Sequence, residues 1–315
     1  MMNSMLRVRQ IALACTAAWA LVACGGGGGG SSAGAPNATP STGFSGQDAS
    51  APTATNNIAT DGLNWINYRR SQIGMPALAR NAVIDTAAQG HSDYQRINNV
   101  VTHDQTAGKT GYTGARLQDR LQNAGYVFGS PNAIGEVISA TSNGSGFYMA
   151  EELITAIYHR FVIFEPMFRE IGTGAAIASS GYRYFTADFA SRDGFGPGIA
   201  RGTLVTWPFN GQTQVVPNFF SNTEQPDPVP NADEVGYPIS VHTNLDTNVT
   251  VTSFTVRPRG GSDLTVLRVL PLSDNKPAAA IIPLQPLRAA TVYDVSFAGT
   301  VNGAAVTRSW SFTTR

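Results

Sequence analysis

Charge is scarce in this 315-residue chain: 13% of residues are Asp, Glu, Lys or Arg, and 21 basic residues cancel 21 acidic ones. No basic stripe is present to neutralise phosphates, so nucleic acid is not an expected partner. Cysteine is almost absent. Cys15 and Cys24 are the two in the chain, which excludes a disulfide framework and leaves stability to packing. Familiar nucleophile and phosphate motifs are missing as well. Gly144-Ser145-Gly146 lacks Gly-x-Ser-x-Gly spacing and sits in a Thr/Ser/Asn loop, and neither a Gly-rich phosphate loop after a strand nor an EF-hand loop occurs.

The N-terminal segment reads as an address. Arg7 and Arg9 precede the apolar run IALACTAAWALVA, too short for a membrane span but suited to a signal-peptide core. It ends in Leu21-Val22-Ala23-Cys24, which resembles a bacterial lipobox. That resemblance implies cleavage after residue 23, acylation of Cys24 and attachment to a membrane. Gly25 stands where an aspartate would favour the inner membrane, so the implied location is the cell envelope at the outer membrane. Residues 24–57 are rich in Gly, Ser, Ala, Thr and Asn. They bury too little apolar surface to offset ordering entropy and read as a flexible tether.

Beyond the tether, 42% hydrophobic composition allows a folded body, and the length allows about two domains at roughly 100–200 residues each. Thr60 and Asp61 read as a helix cap, with Leu63, Ile66 and Ile73 at helical spacing. Further helices are expected over 81–98, 115–124 and 149–164, the last with Leu153, Ile154, Ile157 and Phe161 as its apolar stripe. Strands are expected at 171–178 and 182–189, joined by the turn Ser179-Ser180-Gly181. Helices followed by a hairpin predict an α+β domain over 58–192. After a glycine-rich connector at 193–202, short β-prone runs at 203–207, 239–243, 249–257, 264–270, 293–299 and 309–313 predict an all-β sandwich over 203–315. Pro226-Asp227-Pro228-Val229-Pro230 reads as an exposed loop in it.

Four histidines are available for chemistry. His91 lies on the apolar face of its helix and reads as a satisfied core residue. His242 is a surface or strand histidine by default. His103 and His159 gain meaning from the order of the motifs around them. Leu63-Asn64, Arg69, Gly74 and Leu78 are followed by Ala88…His91-Ser92, then His103, Arg116 before Gly125-Tyr126, Gly135-Glu136, and His159-Arg160 through Glu170-Ile171-Gly172-Thr173-Gly174.

This order resembles the CAP superfamily of cysteine-rich secretory proteins, antigen 5 and plant pathogenesis-related proteins, in its cysteine-free bacterial branch. The resemblance spans residues 58–190 and implies an α-β-α sandwich with two histidines and one or two glutamates in a central cleft. Here these are His103, Glu136 and His159, with Glu152 as a further candidate and Arg116, Arg160 and Tyr158 as supporting residues. Two imidazoles can ligate a divalent metal such as zinc, and a carboxylate can act as ligand, partner or proton acceptor. Glu136 is the candidate catalytic residue. Departures from the family pattern are Glu151-Glu152 without a flanking tryptophan, and Ala156-Ile157-Tyr158 where Ser-Pro-Gly is usual. Arg116 and Arg160 are expected to pair with carboxylates.

Residues 203–315 resemble bacterial Ig-like modules, opening on Pro208-Phe209-Asn210-Gly211-Gln212-Thr213 and closing on Leu287 to Val295 and Phe312-Thr313-Thr314. The expected function is a lipid-anchored, non-enzymatic binding module. Its cleft would take a divalent metal, a small apolar ligand or an envelope component. A metal-dependent hydrolase of envelope polymer or peptide is the alternative, and a structural, adhesion-like envelope protein is a third reading.

Overall fold

The computed structural model describes residues 43–272 and 277–315, together with the backbone of a strand at Gln10–Cys15 (β1). Cys24 and the first part of the tether lie outside the described residues. Helix α1 (Ile58–Gln72) starts earlier than the cap expected at Thr60 and Asp61. Asn57 is its N-cap and accepts a hydrogen bond from the Thr60 amide. Asp61 instead lies buried in the first turn and accepts from the Thr55 amide and hydroxyl. The short strand β2 (Ala79–Arg80) leads into α2 (Ala82–Asn98), capped by Asn81 and closed by the left-handed Asn99. Helix α3 (Leu117–Asn123) follows.

Strand β3 (Ala133–Thr141) is buried along its whole length. Sequence reading missed it, because a strand covered on both faces shows no alternation. The helix expected over 149–164 is two: α4 (Gly146–Thr155) and α5 (Ile157–Ile163). Ala156 between them is extended, with φ −70° and ψ 123°, so the chain turns there.

Strands β4 (Glu170–Ile177) and β5 (Arg183–Ser191) form the expected hairpin. The sheet runs β2-β4-β5-β3-β1, with β3 antiparallel to β5 and β1 parallel to β3. Close contacts fix which helix covers which face. A Cβ on Gly172 or Gly174 would come within 2.2 Å of α2 backbone, so these glycines let the helix lie directly on the sheet. On the opposite face, Gly62 of α1 abuts the Phe185 ring and Gly135 of β3 abuts Phe168 and Val162. The result is the expected α-β-α layering. Glu136 and Gly172 both lie opposite Asp188 in register, so all three face α2, while Val137 and Ser139 face α4 and α5.

The remaining chain is all β. Strands β6 (Val205–Trp207), β7 (Gln212–Val215), β8 (Asn218–Phe220), β9 (Glu224–Gln225) and β10 (Glu234–Gly236) precede β11 (Ile239–His242) and β12 (Val249–Pro258). Then come β13 (Val266–Val269), β14 (Ala278–Pro283), β15 (Val292–Val301) and β16 (Ala304–Thr314). One four-stranded sheet has the order β13-β14-β11-β6 and the other β12-β15-β16-β7. β8 and β10 pair separately, and β9 joins the first sheet beside β1. β14, the run Ala278 to Pro283, is buried throughout and was missed for the same reason as β3.

Two further differences concern boundaries. Residues from Phe44 onward, expected to belong to the tether, pack on the body: the Phe44 ring lies 4.7 Å from Trp65, and Arg69 donates to the Ser45 carbonyl. The Pro226–Pro230 loop is not wholly exposed, because Pro228 and Val229 are buried. A single apolar core also crosses the connector. Phe164, the C-cap of α5, meets Trp207 edge-on at 5.5 Å, and Trp207 lies 5.3 Å from the Arg69 guanidinium. Among the described residues, no helix is long and apolar enough to cross a membrane.

Candidate functional site

Glu136 sits in the middle of β3, fully buried and facing α2. An isolated carboxylate there would be very costly, so its partners define the site. Arg120 of α3 donates from Nη2 to one oxygen at 2.5 Å, and His103 donates from Nδ1 to the other at 2.7 Å. Arg120 also donates to the His103 carbonyl at 2.7 Å, which ties the histidine loop to the same cation. Burial would raise the Glu136 pKa, but Arg120, His91 and His103 outweigh it and hold the carboxyl well below the usual range. Directly opposite in register, Asp188 shows the converse. Burial first and the Glu136 charge next push its carboxyl well above the usual range.

His103 is the most accessible member, its side chain 18% exposed. Nδ1 faces Glu136, and Nε2 has no hydrogen-bond partner among the described residues. His91, 3.9 Å from Glu136, is a satisfied core histidine. Its Nε2 bonds the Thr102 carbonyl at 2.7 Å and its Nδ1 accepts from Gln105 at 2.9 Å. Burial, only partly offset by Glu136, depresses its pKa to about 4.

His159 is placed differently. It heads α5, on the other face of the sheet, and its Nδ1 lies 2.9 Å from Glu224 of β9. The same carboxylate accepts from the amides of Ile157, Tyr158 and His159 at 2.7–3.0 Å. Glu224 therefore caps the helix where no side chain of α5 does so. The Tyr158 hydroxyl is pushed up in pKa by burial, then by Glu224 and Asp227.

Arg160 is buried beside His159 and, among the described residues, forms no salt bridge with a carboxylate, contrary to expectation. It donates to the carbonyls of Ile154 and Pro238 and to the Ser240 hydroxyl, with its guanidinium 5.1 Å from the Tyr237 ring. The His-Arg pair thus joins the helical domain to the β half. Of the two default readings for His242, strand holds and surface does not: it ends β11. It is buried against Phe161 and Phe164, accepts from Ser240, and burial depresses its pKa to about 3.

Glu152 of α4 accepts from the Ser139 hydroxyl of β3, and burial raises its pKa to about 7 against the pull of Ser139 and Tyr148. Its neighbour Glu151 accepts from the Trp65 indole at 2.7 Å and from Arg69 at 2.8 Å. The structure therefore brings His103 and Glu136 together, and gives Glu152 and His159 partners of their own. A metal implied by the resemblance finds little support here. His103 Nε2 could serve as one ligand, but among the described residues no group of three His, Cys, Asp or Glu converges to hold an ion.

With this geometry in place, residues 63–189 match the model of the CAP family, the cysteine-rich secretory protein family. The chain carries a CAP domain. Among solved structures, an extracellular protein with an SCP domain from Bacillus anthracis str. Ames is 24% identical, with a TM-score of 0.36 and 44% of each chain covered. The match thus spans less than half of the Bacillus protein's length. An outer surface protein from Borrelia burgdorferi is 13% identical with a TM-score of 0.35, over 42% of this chain and 90% of that one. Comparison with curated proteins gives no match.

Two residues that partner the candidate site escaped sequence reasoning. Arg120, not the exposed Arg116, pairs with Glu136. The spacing held the signal, since four residues separate Arg120 from Gly125-Tyr126 as the family pattern R….GY requires. Glu224 left no such signal: it lies outside the CAP match, 65 residues from its partner.

Proposed function

We propose that the protein is exported, anchored at the outer membrane through an acylated Cys24, and serves there as a non-catalytic binding module. Its CAP domain and Ig-like β half form one unit. The observation that carries the non-catalytic reading is the state of Glu136. A general base needs a free lone pair near its substrate and a proton affinity matched to neutral pH. Both Glu136 oxygens already accept charge-assisted or imidazole hydrogen bonds, and the ionised form is strongly favoured. Such a carboxylate organises its surroundings and makes a poor proton acceptor.

The remaining carboxyl with a suitable affinity, Glu152, is half-buried on α4 and engaged by Ser139. The hydrolase reading is therefore the weaker one. The bound partner is an envelope component reached through the lipid anchor.

The test is paired. Purified full chain and a Glu136→Gln variant are incubated with peptidoglycan and with unfolded polypeptide. The expected result is no turnover by either. Hydrolysis by the native chain that Glu136→Gln abolishes without unfolding would overturn the proposal. Palmitate labelling in cells, lost on Cys24→Ser, tests the anchor separately.

A further inference from the structure

Strand β1 occupies a slot with two walls. Gln10 to Ala14 pair in parallel with Ile134 to Ile138 of β3, and Ala14 and Cys15 pair antiparallel with Gln225 and Glu224 of β9. Helix α5 runs alongside. These six residues belong to the leader that the export reading removes. Once they leave, the central strand β3 and the short strand β9 each face an empty strand position with unpaired amides and carbonyls. Such an edge is a template for another chain. With both walls in place, an incoming segment gains partners along β3 and at its end on β9.

The far wall has one hold besides the occupant. Glu224 is fastened to α5 through the Ile157, Tyr158 and His159 amides and the His159 imidazole. Glu224 therefore stays tied to α5 when β1 is gone, although the only strand β9 pairs with among the described residues is β1. The near wall, β3, is held by β5 along nine register pairs. The slot is preformed, which lowers the ordering cost of filling it.

We propose that this slot is a binding site for an extended polypeptide segment of about six residues that adds to the sheet parallel to β3. The chain's own leader fills it before processing, and a partner's segment fills it afterwards. The occupant seen here, Gln10-Ile11-Ala12-Leu13-Ala14-Cys15, has no charge and no proline. The partner chemistry is accordingly an uncharged, mostly apolar stretch with every amide available. This deepens the binding-module reading and rests on it, because the slot opens only if the leader is cleaved.

The experiment compares hydrogen exchange in β3 between full chain retaining residues 1–23 and processed protein purified from membranes, with intact mass recorded for each. In the processed protein, the β3 amides facing away from β5 should exchange at least about tenfold faster. A peptide spanning residues 9–16, with Cys15→Ser to prevent oxidation, should restore their protection, and its Leu13→Pro version should not. Unchanged protection in the processed protein, or equal binding of the two peptides, would overturn the slot. If intact mass shows residues 1–23 retained in the envelope, the export reading fails instead. The slot is then judged in the full chain, where Leu13→Pro should release the same β3 amides. Protection that survives this substitution overturns the slot whatever the fate of the leader.

Discussion

Arg120 and Arg160 are both fully buried, on opposite faces of one sheet, and they meet the same difficulty in different ways. Arg120 is neutralised by Glu136 within the CAP domain. Among the described residues Arg160 forms no salt bridge, and Glu224 and Glu151 act on it only at longer range. Carbonyls, a hydroxyl and the Tyr237 ring satisfy it, and three of these groups, Pro238, Ser240 and Tyr237, belong to the β half. One face of the CAP domain is thus closed internally, and the other is completed by the rest of the chain. The domain boundary drawn at the glycine-rich connector is a boundary of sequence texture. Energetically, the α5 face continues into residues 224–240.

The largest effect should come from breaking the closed face. Arg120→Met leaves Glu136 as an uncompensated buried charge and should cost about 4 kcal/mol of stability in urea unfolding. Adding Glu136→Leu removes that charge and should recover most of the loss, since a buried pair is often replaceable by apolar groups. A double variant as unstable as Arg120→Met would show that the arginine contributes packing and not charge balance.

On the other face, Glu152 gives a pH-dependent contrast. Its folded pKa of about 7 lies above the ordinary glutamate value of 4.5. The folded state therefore holds a proton that the unfolded state has released, and stability is lost as pH rises from 4.5 through about 7. Glu152→Gln stays neutral and keeps a partner for Ser139. Its advantage over the native chain should be near zero at pH 4, grow across that window and level off above it at ~3 kcal/mol. His91 and His242, depressed to about 4 and about 3, bend the native curve the opposite way as they lose protons. The difference between the two proteins cancels both. A difference that does not vary with pH would mean that Glu152 is ionised in the fold.

The joint between the halves should be weaker than either of these. Glu224→Ala removes the acceptor for three α5 amides and for His159. Loss of such a cap should cost about 2 kcal/mol. Calorimetry should then show the single transition broadening or splitting, with faster proteolysis in residues 193–202. One sharp transition at an unchanged midpoint would mean that the apolar contact of Phe164 with Trp207 suffices to join the halves.

Sequence disclosed the two faces unequally, for a physical reason. α2 and the β4–β5 hairpin were legible because amphipathic spacing, the Asn81 cap and the Ser179-Ser180-Gly181 turn are local signals. The pairing of His103 with Glu136 was legible through the family pattern. β3 and β14 were not, since strands covered on both faces carry no alternation. The partner of His159 was beyond reach because Glu224 joins it through tertiary contact alone, and nothing local distinguishes a capping glutamate 65 residues away.

The smallest expected effect is also the sharpest check on reading charge from motifs. Arg116 and Arg120 lie one helical turn apart, and both precede Gly125-Tyr126. Arg116 is exposed at the N-cap of α3, where its backbone amide, not its guanidinium, bonds Asp119. Arg120 turns inward because helical spacing sets it on the side of Leu117 and Leu121, both buried. Arg116→Ala should therefore change stability by less than about 0.5 kcal/mol, as exposed sites without special contacts do. Its pH dependence should follow the native chain, because Glu136 keeps its cation. A loss comparable to that of Arg120→Met would require the Arg116 guanidinium to reach the buried cluster, and the assignment of the motif arginine to Arg120 would have to be withdrawn.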